Sequence, residues 1–360
     1  MRIIPKLVCL FASLLLGAGM AQDVVDPQEA TADAPSAGRP KTEAVPILTG
    51  YATFVSSFSP GEQQLSPTVA PILLIPFGDK WLIEAEGEFE GDYMHTTGEP
   101  WEREWEKGVE YVQVDYLANK YLTVVGGRFL TPFGIYNERL HPSWIKNLQT
   151  MPLIMPLEEG SGNGIQFRGG VRLGDDVNFN YATYFSAASA VRAFKASRAA
   201  GFRTALFFPR KRVEVGVSYQ RTLQDENFNT VGIDFTWQPK AQPFDFRAEY
   251  ANSELFGQGY WLEGAYRLRR VPFARKFFRR SQVIARVEQY FVPEMGMGGG
   301  GERELPESDT TRFTVGWNYY FRDDLKLAVA GGRSFSTDGD RNVESIGLAY
   351  RFTIPLAGGK

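Results

Sequence analysis

Thiols are nearly absent: the 360 residues contain one cysteine, Cys9, and it lies in an apolar N-terminal run. The segment 1–21 has a short basic start (Arg2, Lys6), an apolar centre and a small-residue end, which is the layout of a signal peptide. With that leader removed the chain has no thiol, so disulfides and cysteine metal sites are excluded. Histidine is almost as scarce, with His95 and His141 only. Two such residues on separate loops assemble neither a Ser-His-Asp triad nor a histidine metal site, and Gly160-Ser161-Gly162 lacks the strand-turn-helix frame of a nucleophile elbow. Beyond the leader no apolar run is long enough for a transmembrane helix. An excess of positive charge is missing too: the formal charge is −3, and it falls to −5 without Arg2 and Lys6, which argues against nucleic acid as a partner. No cofactor, metal or catalytic residue is expected.

What the chain does contain is alternation. Residues 22–46, rich in Asp, Ala, Pro and Glu, are expected to form a disordered periplasmic segment. From 47 to 354 runs of about ten residues alternate with period two, and 355–360 make a short tail. Val213, Val215, Val217 and Tyr219 share one face; Glu214, Gly216, Ser218 and Gln220 share the other. The same division sets Val231, Ile233, Phe235 and Trp237 against Asp234, and Phe313, Val315 and Trp317 against Arg312, Thr314 and Asn318. About sixteen such runs are joined alternately by short and long connections. The short ones lie at 77–80, 118–120, 173–176, 209–211, 238–243 and 322–324, and the long ones at 91–107, 131–163, 188–199 and 293–308. Short turns at one end, long loops at the other and an even strand count predict an all-β chain, a transmembrane antiparallel β-barrel of about 16 strands. Charges that a soluble core would not tolerate then face a wet lumen, and the apolar set faces lipid.

Two groups of charges are candidate pore-lining residues: the acids Glu84, Glu86, Glu88 and Asp115, and the arginines Arg128, Arg168, Arg172, Arg203, Arg247, Arg267, Arg286 and Arg312. Acids and arginines on different arcs of a narrow pore filter solutes by sign; the plainer expectation for the strands where both signs interleave is cross-strand pairing that stiffens the wall. Glutamates two apart on a strand are too far apart to share one ion unaided. Residues 131–163 are far longer than an ordinary connection and are broken by Pro132, Pro142, Pro152 and Pro156. Their apolar side chains, among them Phe133, Tyr136, Leu148, Ile154 and Leu157, predict a third external loop folded inward. Glu138, Arg139, Lys146, Glu158 and Glu159 would form its eyelet. A loop packed outward as a subunit latch is the other reading. The basic joint at 269–280, RRVPFARKFFRR, is placed among anionic head groups or left as a solvated turn.

The stretch GRFLTPFGIYN at 127–137 resembles a strand and turn of bacterial outer-membrane porins similar to the phosphate-selective porin O and P family. That resemblance implies a sixteen-stranded pore, often a homotrimer, with an arginine-lined path for anions such as phosphate and Arg128 as a wall arginine. The expectation from the sequence is an outer-membrane porin passing small hydrophilic or charged solutes, with membrane lipids and polar solutes or ions as partners. A plugged barrel acting as structural element or adhesin, and a barrel lipid hydrolase, are the alternatives.

Overall fold

The computed structural model describes residues 45–157, 160–224, 227–293 and 305–356. Residues 1–44, which take in the expected leader at 1–21 and all but 45–46 of the segment expected to be disordered at 22–46, lie outside them, as do 357–360 of the tail, Glu158 and Glu159.

Sixteen strands close into one antiparallel barrel in sequence order. They are β1 (Ile47–Ser59), β2 (Glu62–Phe77), β3 (Trp81–Thr96), β4 (Glu102–Asn119), β5 (Leu122–Leu130), β6 (Ser161–Leu173), β7 (Val177–Ala187) and β8 (Ala199–Phe208). The second half comprises β9 (Val213–Thr222), β10 (Phe228–Trp237), β11 (Phe244–Ser253), β12 (Gly257–Arg267), β13 (Ser281–Phe291), β14 (Thr310–Arg322), β15 (Leu325–Ser336) and β16 (Arg341–Pro355). Pairing of β1 with β16 from Ile47↔Pro355 to Phe58↔Glu344 satisfies both edges, so no open ladder faces lipid. Among the described residues two α-helical turns lie between strands, α1 (Tyr136–Arg139) and α2 (Arg275–Phe278), besides 3-10 turns at Met155–Leu157 and Arg192–Phe194. No helix among the described residues is long and apolar enough to cross a membrane.

The wall is inverted relative to a soluble protein. Val215, Ile233 and Val315 are 40%, 54% and 64% exposed, whereas their neighbours Glu214, Asp234 and Thr314 are at most 6% exposed. Apolar groups are placed outward, where hydrocarbon replaces water, and polar groups inward, where other polar groups satisfy them. Aromatics gather at the end that carries the tight turns: Trp81 stacks on Phe77 and lies tilted against Tyr116, and Trp237 meets Phe244 edge to face. Tyr319 packs between Trp317 and Phe321.

Two parts of the wall differ from the alternation. Residues 91–107 are not a long loop: β3 and β4 run on as a tall hairpin paired from Gly91↔Trp105 to Met94↔Glu102, leaving only 97–101 as connection. In β2, Pro67 and Pro71 lie in a strand whose pairing with β1 is continuous. Its ladder to β3 skips residues 66–67 and 70–71, the side on which proline has no N–H to give. Connections also depart from strict short-long order. On the turn end, 268–280 is the long exception, and on the loop end 60–61, 254–256 and 337–340 are tight.

Candidate functional site: a charged passage beside the third loop

The loop at 131–160 lies against the inner wall, and small residues make its seat. A Cβ on Gly232 would fall 2.9 Å from the Phe133 ring, one on Gly259 2.6 Å from Ile154, and one on Gly316 2.5 Å from Leu148. Three inward glycines on β10, β12 and β14 are thus notches into which loop side chains fit. Phe133, Ile135, Tyr136, Leu140, Ile154 and Leu157 form an apolar core with Ala251, Trp261 and Tyr290 of the wall. Met151 is the exception, 54% exposed.

Polar contacts fix the rest. Asn137 donates to the Thr131 and Gly160 carbonyls, 2.9 Å each, and so ties the two ends of the loop together. Gly134, at φ +60, donates to Ser218 Oγ at 3.0 Å, and Ile135 N–H to Glu249 Oε1 at 3.2 Å. Asn147 donates to Glu263 and Asp245, while its own oxygens accept from Gln282 and Asn318. Lys326 caps the Trp144 and Lys146 carbonyls, Arg286 binds Thr150, Arg312 binds the Met151 carbonyl, and Glu288 accepts the Leu153 N–H. Trp144 lies under the Arg351 guanidinium, 4.5 Å from ring centre. Wall charges on β11 to β16 are therefore largely spent on holding the loop.

This placement separates the predicted pore residues. Arg247, Arg286 and Arg312 do not face open space: Arg247 pairs with Asp245 at 2.6 Å, Arg286 with Glu288 at 3.0 Å and Glu263 at 3.6 Å, and Arg312 with Glu288 at 2.8 Å. Arg286–Glu263 and Arg312–Glu288 tie adjacent strands together under the loop, while Arg247–Asp245 and Arg286–Glu288 pair along a single strand. Arg267 stacks on Tyr320, 4.1 Å from ring centre to guanidinium. Arg172 is exposed at the turn end beside Asp175. Arg128 serves the backbone: it donates to the Val109 and Lys195 carbonyls and to Asn163, and so holds down the connection at 188–198. Glu86 is buried, with His141 Nε2 at 3.4 Å from its carboxylate. His95, the other histidine, lies against the Trp101 ring.

The remaining residues come together. Opposite the loop's seat a cavity of about 600 Å³ is lined by Glu84, Gln113, Gln166, Arg168, Asn180, Tyr181 and Arg203 of the wall and by Glu138 and Arg139 of α1. Two chains of charge meet at α1. In the first, Gln113 bridges Glu84 (3.2 Å) and Asp115 (3.0 Å), Arg168 pairs with Asp115, and Arg168 reaches Glu138 at 3.4 Å. In the second, Arg139 pairs with Glu214, and Arg203 bridges Glu214 (2.9 Å) and Asp234 (2.6 Å). Adjacent residues of opposite sign on one helical turn thus engage two different arcs. Room for Arg203 comes from Gly216, whose Cβ would lie 2.4 Å from Asp234. Lys146 sits deeper in the loop; burial pushes its ammonium toward the neutral form, while Glu88, Glu86, Glu90 and Glu110 pull it back.

Sequence reasoning did not single out Gln166, Asn180 or Tyr181 in this lining, although Gln166 shares the Arg168 face. Asn137 and Asn147 of the loop gave no periodic signal at all. The inward glycines did give one: they sit in the polar set of otherwise alternating strands, where a side chain is missing for a reason.

No protein-family model matches the chain, and no curated protein does. Solved structures do. OmpF of Salmonella typhi, in complex with daunomycin, superposes with a TM-score of 0.56 at 12% identity over 85% of this chain and 97% of that one. An anion-selective porin from Comamonas acidovorans gives 0.53 at 10% identity over 86% and 100%. The trimer form of OmpT, an outer membrane protein of Vibrio cholerae, gives 0.52 at 10% identity over 86% and 100%. At such identities the likeness is one of fold. The chain has the closed barrel of outer-membrane porins, and with its apolar outer wall it is an outer-membrane protein.

Proposed function

We propose that the barrel is a passive porin, a non-enzymatic channel for small hydrophilic or charged solutes, whose narrowest part lies between α1 and the arc from β3 to β8. The observation that carries this reading is the polar cavity left beside the inward loop, lined by charges of both signs. Arg139, Arg168 and Arg203 line it with Glu84 and Glu138, and Asp115, Glu214 and Asp234 are buried behind the arginines they pair with. Counted with those three buried acids, three cations against five carboxylates leave a net charge of −2 around the passage, which favours cations over anions. An arginine-lined phosphate path, as the resemblance to the O and P porins implies, would need guanidiniums free of carboxylates; both wall arginines here have partners. Assembly as a homotrimer is part of the proposal, supported by the trimer form of one similar barrel.

The test is a planar bilayer. The purified protein should give discrete conductance steps, with a reversal potential under a KCl gradient on the cation side. Replacing Glu84 and Glu138 by Gln should move that potential toward the anion side; no movement would remove the charge-filter role. Silent bilayers would favour the plugged barrel, a reading supported by the apolar core that fills the lumen against β10 to β13. Lipase activity of the folded protein would favour a hydrolase; His141 lies beside Glu86 and His95 against the Trp101 ring.

A further inference from the structure

We propose that the turn between β12 and β13 is a binding site for the phosphate head group of an anionic phospholipid in the inner leaflet. Short turns mark the periplasmic end of such a barrel, and this connection at 268–280 is the long one there. It carries Arg269, Arg270, Arg275, Lys276, Arg279 and Arg280, and no acid. All six are exposed, and among the described residues none is ion-paired with a carboxylate. Arg270 and Arg275 donate to the Ala241 and Pro272 carbonyls, and the neighbouring turn acid Asp324 is held by Arg322.

Beneath the cations is an apolar shelf. Phe277 of α2 stacks on Trp317 at 5.8 Å and on Tyr319 at 5.3 Å, both on the lipid-facing side of β14, and it remains 44% exposed. Phe273, beside Phe278, is 66% exposed. A groove runs between the two elements, lined by Lys276, Phe277, Arg279, Arg280 and Tyr319. Its frame is fixed: Leu268 N–H bonds the Ser281 carbonyl at 3.0 Å, Tyr320 N–H the Arg280 carbonyl at 2.8 Å, and Ser281 Oγ the Phe277 carbonyl at 3.1 Å. A cationic rim over an aromatic floor that continues the hydrocarbon-facing wall fits an amphiphile with an anionic head. A free anion would gain nothing from Phe277 and Tyr319, and a zwitterionic head would gain little from the unpaired cations. The site depends on the barrel's place in the membrane and not on whether the lumen conducts.

Native mass spectrometry of the full barrel in non-ionic detergent tests this, with phosphatidylglycerol or phosphatidylcholine of identical acyl chains added. With ~1 kcal/mol for each cation near the surface at low salt, partly lost to screening, retained phosphatidylglycerol should exceed phosphatidylcholine by on the order of tenfold. The variant R275Q/K276Q/R279Q/R280Q should bring the two to parity, and F277A should lower retention of phosphatidylglycerol with every charge in place. Should the quadruple variant fail to fold, shown by loss of the heat-modifiable band, K276Q/R279Q should still reduce the preference severalfold. Equal retention of both lipids by the unaltered protein, or a preference that survives the substitutions, overturns the proposal. So does displacement of the lipid by millimolar glycerol phosphate, which would mean a soluble-anion site.

Discussion

Replacing Gly134 with alanine should unseat the third loop and give a higher, noisier channel conductance. The residue lies at φ +60, a region that costs an L-residue ~1–2 kcal/mol. Its new Cβ would fall 1.4 Å from Glu249 Oε1 and 2.5 Å from the carboxyl carbon, an overlap that the wall must relieve by moving Glu249. That movement breaks the bond from Ile135 N–H and loosens the packing around Phe133 and Ile135. Overpacking of this kind adds ~1–3 kcal/mol. A total near 3 kcal/mol shifts the balance between seated and released loop by more than a hundredfold, since ~1.4 kcal/mol is a factor of ten. Single-channel recording is the direct measurement; traces indistinguishable from the parent would show that the seat does not depend on Gly134.

Replacing Arg203 with glutamine should cost the barrel ~3–5 kcal/mol, the usual penalty for stranding a buried charge. Arg203 is 6% exposed and is the bridge between Glu214 and Asp234. Without it Glu214 keeps Arg139, but Asp234, 1% exposed, loses the guanidinium that holds both its oxygens. The urea midpoint of the refolded protein should fall accordingly, and adding Asp234→Asn should recover part of the loss. Lysine at 203 should not rescue it, because a point charge cannot reproduce the fork between two carboxylates. An unchanged midpoint would mean that water, rather than Arg203, satisfies these acids.

Both predictions rest on features that the sequence shows unequally. The closed barrel of sixteen strands was legible because lipid on one side and water on the other impose a period-two contrast on nearly every strand. The contrast fails where both faces of a strand are wet. Glu102, Arg103, Glu104, Trp105 and Glu106 are all exposed, so the upper half of β4 reads as loop. Individual charges were legible as inward-facing, and their partners were not. Arg286 and Arg312 end on carbonyls of a loop more than 130 positions away, a pairing set by three-dimensional placement rather than by local pattern. Glu138 and Arg139 line the cavity, whereas Lys146 lies among acids deeper in the loop.

The division of labour around the lumen has an evolutionary consequence. Residues that line the cavity come from β3 to β8 and, on the loop, chiefly from two positions of α1, while those that anchor the loop come chiefly from β9 to β15. Drift in the first group, apart from Arg203, which also holds Glu214 and Asp234, can change the cavity lining without disturbing the loop's anchors, and drift in the second can harden or soften the scaffold without altering the lining. If the barrel conducts as proposed, exchange of 81–130 and 161–208 with a sister barrel, the loop between them left in place, should therefore transfer preference.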